Sequence, residues 1–369
     1  MINSAPNKFW LPSLSTYVAR LYFFRFLGLL VAICVILQML DLLAKSDEIL
    51  AGQGETYIAT FRYVALRFPQ LVSKFLPFTA LLAALLTLAT LNTSSEIVVM
   101  KAAGLSPYRV LSPMILVSLG IAIAHFAFNE SVLVRTTAIL DDWDSHKYAA
   151  NLPPPPESSQ EVWITDGNKL IWIEKISRQG NILVMDNVTQ YDRDENARLT
   201  DVEKADFAIF KNNRWTMFDV RHFNVAAQET TALPTKEWHT TIPPDRFLAL
   251  SVKPEHVSIY KLYKAIQQLN PTGHPASVLL SSFFRKISQP ASTIIMPMLA
   301  ALAGFGVHRS GMLFVRVISG MAIGFGFFVV DNMIAALGQF GKLPPFLAAW
   351  GAFMLFTLFG WMMILYTEE

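Results

Sequence analysis

The chain has one cysteine, Cys34, so no disulfide can close within it and no cysteine-built metal cluster is available. Charge is also scarce. Asp, Glu, Lys and Arg make up 16% of 369 residues, and 30 basic against 28 acidic side chains leave a net charge of +2, too small to mark a nucleic-acid partner. A G-x-x-x-x-G-K-[ST] phosphate loop, an H-E-x-x-H zinc motif and a G-x-S-x-G nucleophile turn are all missing, so no catalytic site and no cofactor site can be written from the residues. Histidines such as His125 and His274 stand alone and read as structural, and no internal repeat is evident. If such a chain drives active transport, another polypeptide must supply the energy.

What it has in excess is apolar sequence: 53% of residues are hydrophobic and the mean hydropathy is +0.38. Six segments come close to the ~20 residues that cross a bilayer: 23–43, 71–91, 110–128, 278–307, 314–337 and 346–366. The first is too long for a cleaved signal peptide and lacks a small-x-small cleavage site after it, so it reads as an anchor. Arg285 and Lys286 stand near the start of the fourth, which Pro290 and Pro297 interrupt. Asp41 and Asp331 lie within apolar runs, where a carboxylate is expensive unless it faces a polar cavity or a partner. Lys45, one turn after Asp41, is at the spacing of an i, i+4 pair. Gly320, Gly324 and Gly326 permit close helix approach and predict a packing seam that can also gate.

Between the third and fourth segments the pattern changes. Four prolines at 153–156 predict a stiff extended linker. Strand-like runs follow at 162–165, 170–176, 182–191, 199–210 and 215–225, the first two flanking a hairpin signal, Asp166-Gly167-Asn168. An antiparallel β domain is expected, with Leu170 and Trp172 among its core positions, followed by a helix over 254–269. The domains fall at 1–128, 129–277 and 278–369.

An even number of spans puts both termini on one side and the β domain on the other, but charge does not say which. Lys8, Arg20, Arg25, Lys101, Arg109, Arg309 and Arg316 flank one face; Lys45, Arg62, Arg67, Lys74, Arg285, Lys286 and Lys342 flank the other. Seven face seven, so the positive-inside rule favours neither orientation.

A polar island, NTSSEIVVMKAAGLSPYR at 92–109, lies between the second and third spans. Thr93 and Glu96 fit a capping box, and Gly104 with Pro107 supplies a stop, so a short helix over 97–103 is predicted. This island resembles the cytoplasmic coupling helix of the LptF/LptG family of lipopolysaccharide export permeases. VWITDGNKLIWIE at 162–174, RKISQP at 285–290 and RVISGMAIGFGFFVVD at 316–331 are similar to further segments of that family, most closely to its LptG branch, and the order of three spans, β domain and three spans is the same.

The resemblance implies a polytopic α-helical membrane protein of six transmembrane helices with an inserted periplasmic antiparallel β-jellyroll-like domain, in the bacterial inner membrane. It implies a non-catalytic permease subunit with an LptF-like partner, an LptB ATPase dimer that carries ATP and magnesium, and LptC and LptA-type periplasmic partners. Glu96, Ile97, Met100 and Arg109 then become the ATPase-coupling residues. Lys45, Arg67, Lys74, Arg285 and Lys286 become candidates for lipopolysaccharide phosphates, since basic side chains near helix ends snorkel to that depth. The LptF paralogue, or a membrane scaffold or sensor with an extracytoplasmic β domain, are the competing readings; a scaffold needs no ATPase.

Overall fold

The computed structural model describes residues 12–53, 57–149, 162–179, 182–194, 198–211, 214–244, 247, 253–268, 274–304 and 313–366. The proline run at 153–156, Lys8 and Arg309 lie outside them. Contacts divide the chain into a helical unit, Met1–Ala150 with Leu280–Glu369, and a β unit, Asn151–Leu279.

The helical unit begins with α1 (Pro12–Gln53) and α2 (Tyr57–Thr93), joined through the short α3 (Glu96–Ala102) to α4 (Pro107–Phe128). α4 does not stop where the apolar run stops. It passes through a π-helical turn, Asn129–Leu133, into α5 (Val134–Ser145). There the Val134 N–H bonds to the Asn129 carbonyl, five residues back, and the extra residue rotates the helix beyond it by about 100°. The β unit contains a short helix, α6 (Ile259–Gln268), and the chain re-enters the helical unit within α7 (His274–Gly304), followed by α8 (Leu313–Gln339) and α9 (Pro345–Tyr366). α1 has 42 residues, about 63 Å at 1.5 Å per residue. That is twice the hydrocarbon thickness, so its ends stand clear of the membrane core.

Five helical rods among the described residues are long and apolar enough to cross a membrane: Leu14–Gly52, Tyr57–Thr93, Tyr108–Ser145, Val317–Gln339 and Pro345–Met362. α7 is not one of them, although it runs unbroken for 31 residues through Pro290 and Pro297. Its mixed sequence, with Arg285, Lys286, Ser288, Gln289 and Ser292, explains the difference.

α2 is the central rod. Leu81, Leu85 and Leu88 are fully or almost fully buried against Leu111 and Met114 of α4, Ile295 and Leu299 of α7, and Phe327 of α8 in one apolar cluster. Gly324 is the glycine that matters in the expected seam: a Cβ there would collide with the Leu81 side chain, whereas one at Gly326 would meet open space. α1 and α8 leave long apolar faces uncovered, among them Phe24, Ile36, Met39, Phe325, Val329 and Met333.

The β unit is one six-stranded antiparallel sheet in sequential order: β1 (Val162–Asp166), β2 (Lys169–Gln179), β3 (Ile182–Arg193), β4 (Leu199–Lys211), β5 (Arg214–Asn224) and β6 (Glu229–Trp238). The interleaved strand order of a jellyroll does not occur among the described residues; each strand pairs with the next along the chain. β6 has no counterpart in the sequence reading, because ETTALPTKEW is polar and contains a proline, as befits a sheet edge. Apolar side chains from one face, including Ile171, Ile173, Val188, Ala205, Met217 and Val220, form the core with Trp215, Trp238 and Phe247. Leu170 and Trp172 are not among them. β2 carries apolar residues on both faces, so alternation fixes the period but not the phase; the buried set is Ile171, Ile173 and Ile176. The helix expected over 254–269 appears as a 3-10 turn, Pro254–His256, and α6.

Candidate functional site

α3 forms where the polar island predicts a helix, but its cap differs. Thr93 ends α2 and donates its hydroxyl to the Thr90 carbonyl at 2.9 Å, so it does not cap α3. Ser95 turns the chain with φ +60°. Glu96 occupies the first helical position, where a carboxylate complements the dipole, and accepts from the Ser94 hydroxyl at 2.8 Å and the Tyr17 hydroxyl at 3.4 Å. The stop is as expected: Gly104 takes φ +78° and Leu105 N–H bonds to the Met100 carbonyl at 3.0 Å, the longer-range bond of a Schellman end. Ile97 and Met100 point into the bundle core. The apolar side chains that α3 displays are Val98 and Val99, 49% and 67% exposed, and Arg109 is exposed at the start of α4.

Four of the five candidate cations already have carboxylates of their own chain. Asp41 does not pair with Lys45 one turn on. It accepts from Arg67 of α2 at 3.0 and 3.2 Å and from the Tyr63 hydroxyl at 2.6 Å. Arg67 also bonds Gln70 at 2.5 Å. Lys45 instead meets Glu48 at 2.8 Å and Asp144 of α5 at 3.6 Å. A planar, forked guanidinium binds a carboxylate through two donors, which favours Arg67 as the partner of Asp41. Lys286 lies 3.4 Å from Glu130 of the π-helical turn, and Arg285 lies 3.0 Å from Asp331 of α8. Lys74 has no ion pair or hydrogen bond among the described residues.

Around Asp41 the structure builds an aromatic knot that sequence reasoning missed. Trp143 and Tyr148 meet edge to face at 5.2 Å, Tyr63 and Tyr148 at 5.9 Å, and the Arg62 guanidinium sits 4.7 Å from the Trp143 ring. Tyr63 and Tyr148 stand 85 positions apart in the sequence, so no local pattern announces the knot. Gly52 is required here, since a Cβ would strike the Lys147 carbonyl.

A cavity of about 360 Å³ opens between α2, α7, α8 and α9. Lys74, Arg285 and Asp331 line it with Ser288, Gln289 and Asn332, facing a wall that includes Phe75, Phe78, Phe325, Phe327, Phe328 and Phe353. Two of the five candidate cations and one of the two intramembrane carboxylates therefore converge; Lys45, Arg67, Lys286 and Asp41 lie elsewhere in the unit. The volume is in the range of small-ligand sites, and the mixture suits a molecule with an apolar body and an anionic group.

In the β unit, Asp166 does more than open the hairpin, where Gly167 has φ +60°. Its carboxylate accepts from the Thr240 hydroxyl at 2.7 Å, the Thr241 N–H at 3.0 Å and the Thr241 hydroxyl, tying β1 to the segment beyond β6. Burial alone would raise its pKa, but these bonds and the nearby Lys169 outweigh it and hold the group below the usual carboxylate value.

Membrane-length rods around a charged, phenylalanine-walled cavity, interrupted by one folded sheet, define a polytopic membrane protein with an inserted β domain. The chain belongs to the lipopolysaccharide export system permease LptF/LptG family, which it matches over residues 16–366. It is 28% identical to the lipopolysaccharide export system permease protein LptG of Haemophilus influenzae over 316 residues, 82% of this chain and 84% of that protein. It is likewise 28% identical to the LptG of Escherichia coli K12 over 330 residues, 88% of this chain and 89% of its relative.

Proposed function

We propose that this chain is the LptG-type permease subunit of an ATP-driven extractor that lifts lipopolysaccharide out of the bacterial inner membrane toward a periplasmic protein bridge. The observation that carries the reading is the extent of the family match: residues 16–366 take in all of the membrane-length rods but the first two residues of the first, together with α3 and the whole sheet, so helices and β domain correspond as one architecture. α7 serves as the fourth of six spans. The termini and α3 are cytoplasmic, and the β unit is periplasmic. The subunit is non-catalytic; an LptB ATPase dimer carries ATP and magnesium, an LptF-like subunit completes the permease, and LptC and an LptA-type bridge receive the lipid.

α3 is suited to transmit force because its two sides do different things. Ile97 and Met100 root it in the core shared by α2 and α4, while Val98 and Val99 offer an apolar handle outside. An ATPase that grips the handle moves the roots, and with them the rods that line the cavity. The test is copurification of the co-expressed complex carrying Val98→Asp and Val99→Asp. The ATPase should be lost from the purified complex while membrane insertion and the permease partner are retained; full ATPase recovery would refute α3 as its dock.

A further inference from the structure

α6 of the β unit has two unlike sides. Leu262 and Ala265 are buried, whereas Tyr260, Tyr263, Lys264 and Gln267 are exposed at the i, i+3, i+4 and i+7 positions of one helix face, with exposed Lys261 at its border. The two rings are 64% and 49% exposed, and the Lys264 ammonium lies 4.6 Å from the centre of the Tyr260 ring. Tyrosine joins an apolar ring to a polar tip, and lysine an apolar stem to a cationic head. Both side chains suit the boundary between hydrocarbon and water.

The chain keeps this face close to such a boundary. Five residues, 269–273, separate α6 from α7, and at ~3.6 Å per residue they hold the end of α6 within about 22 Å of the start of α7. α7 has 31 residues, or ~47 Å of helix against a hydrocarbon core of ~30 Å. A spanning α7 therefore overshoots the core into the headgroup layer. Charge points the same way: from His256 to Val330 the chain has no aspartate or glutamate. Nothing on α6 or its tether repels anionic headgroups, and Lys261 and Lys264 attract them, each strengthening binding to an anionic surface roughly fivefold.

We propose that α6 is an interfacial helix whose tyrosine and lysine face lies in the phospholipid headgroup layer and anchors the β unit to the bilayer surface. The contact is shallow, because the aliphatic side of the helix, Leu262 and Ala265, is turned into the protein. A protein groove that receives a helix takes up apolar anchors from it, and the exposed side chains of α6 include no aliphatic one. The anchor rests on the permease reading in one respect, that α7 enters the membrane.

The experiment uses the purified complex in vesicles of phosphatidylethanolamine and phosphatidylglycerol, with this chain carrying Cys34→Ala and a single nitroxide label at Gln267→Cys, Glu229→Cys or Ile287→Cys. Access of a water-soluble nickel chelate to each label is read by power saturation of its spin resonance. Gln267 lies on the outward face of α6, Glu229 is exposed on β6, and Ile287 is a half-buried position of α7. The Gln267 label should be about fivefold or more less accessible than the Glu229 label. Lys261→Glu with Lys264→Glu should raise its access to the Glu229 level, and Lys261→Arg with Lys264→Arg should leave it shielded. A Gln267 label as open as the Glu229 label overturns the anchor, and shielding that survives the glutamate pair assigns the face to a protein partner and overturns it too. The span reading is tested separately at Ile287: a shielded Ile287 with an open Gln267 sinks the anchor alone, whereas a water-exposed Ile287 sinks both.

Discussion

Removing the Asp41 carboxylate should be the most damaging single change among the membrane ion pairs. Asp41 gathers the Tyr63 hydroxyl and the Nε–Nη2 edge of Arg67, and the pair is partly shielded, with side-chain exposures of 22% and 34%. Asp41→Ala leaves the guanidinium without its counter-ion and the phenol without its acceptor. A fully buried pair broken on one side costs about 3–5 kcal/mol and an exposed pair about 0–1 kcal/mol, so about 2–3 kcal/mol fits the intermediate burial. Asp41→Asn keeps an oxygen for Tyr63 and should lose about 1–2 kcal/mol. Lys45→Ala breaks a surface contact with Glu48 and should lose no more than about 1 kcal/mol. Unfolding midpoints in detergent measure all three, and double-mutant cycles separate the couplings. Asp41 with Arg67 should couple by about 2 kcal/mol, and Asp41 with Lys45 by less than about 0.5 kcal/mol. Equal losses in Asp41→Ala and Lys45→Ala, or a strong Asp41–Lys45 coupling, would restore the i, i+4 pair and refute the cross-helix one.

Two other outcomes follow from local geometry. Gly324→Val drives a side chain into Leu81 and should lower stability by about 1–3 kcal/mol, while Gly326→Ala, with open space around it, should stay within about 1 kcal/mol; thermal melts in detergent compare them. In the β unit, Asp166 titrates below its ordinary value of 3.8 when folded, so its ionised form contributes stability above that pH, and the contribution is lost as pH falls through the lower folded value. Protease resistance of the β domain in the full chain should therefore drop in acid below pH about 4 for the wild type; Asp166→Asn should be weaker at neutral pH and less acid-dependent.

The rods were legible because twenty apolar residues in lipid have few alternatives to helix. Their ends were not, since helix continues past the apolar run wherever backbone bonding is satisfied, as from Phe128 through the π-helical turn to Ser145. α3 was legible at its glycine stop and misread at its start, because Thr93 satisfies the spacing of a capping box while its hydroxyl has a nearer acceptor in Thr90. The basic residues could be found by type, yet their partners could not: Arg67 with Asp41 and Arg285 with Asp331 are separated by 26 and 46 residues. On the sheet, Ile171 and Ile173 were hidden by Leu170 and Trp172 next to them, since both faces of β2 read as apolar.

The pairing of these cations changes what a basic residue in this membrane can do. A lone lysine is a fixed attractor for phosphate, whereas a cation held by a carboxylate must be released before it binds fully, so an incoming anion competes with an internal one. The internal pairs also join rods. Asp41–Arg67 ties α1 to α2, Lys45–Asp144 ties α1 to α5, Lys286–Glu130 ties α7 to the π-helical turn, and Arg285–Asp331 ties α7 to α8. Each pair has a short working distance, because the energy of two charges falls with separation and water entering the gap weakens it further. A movement that parts two rods therefore breaks a pair and exposes a cation, and a movement that returns them restores it.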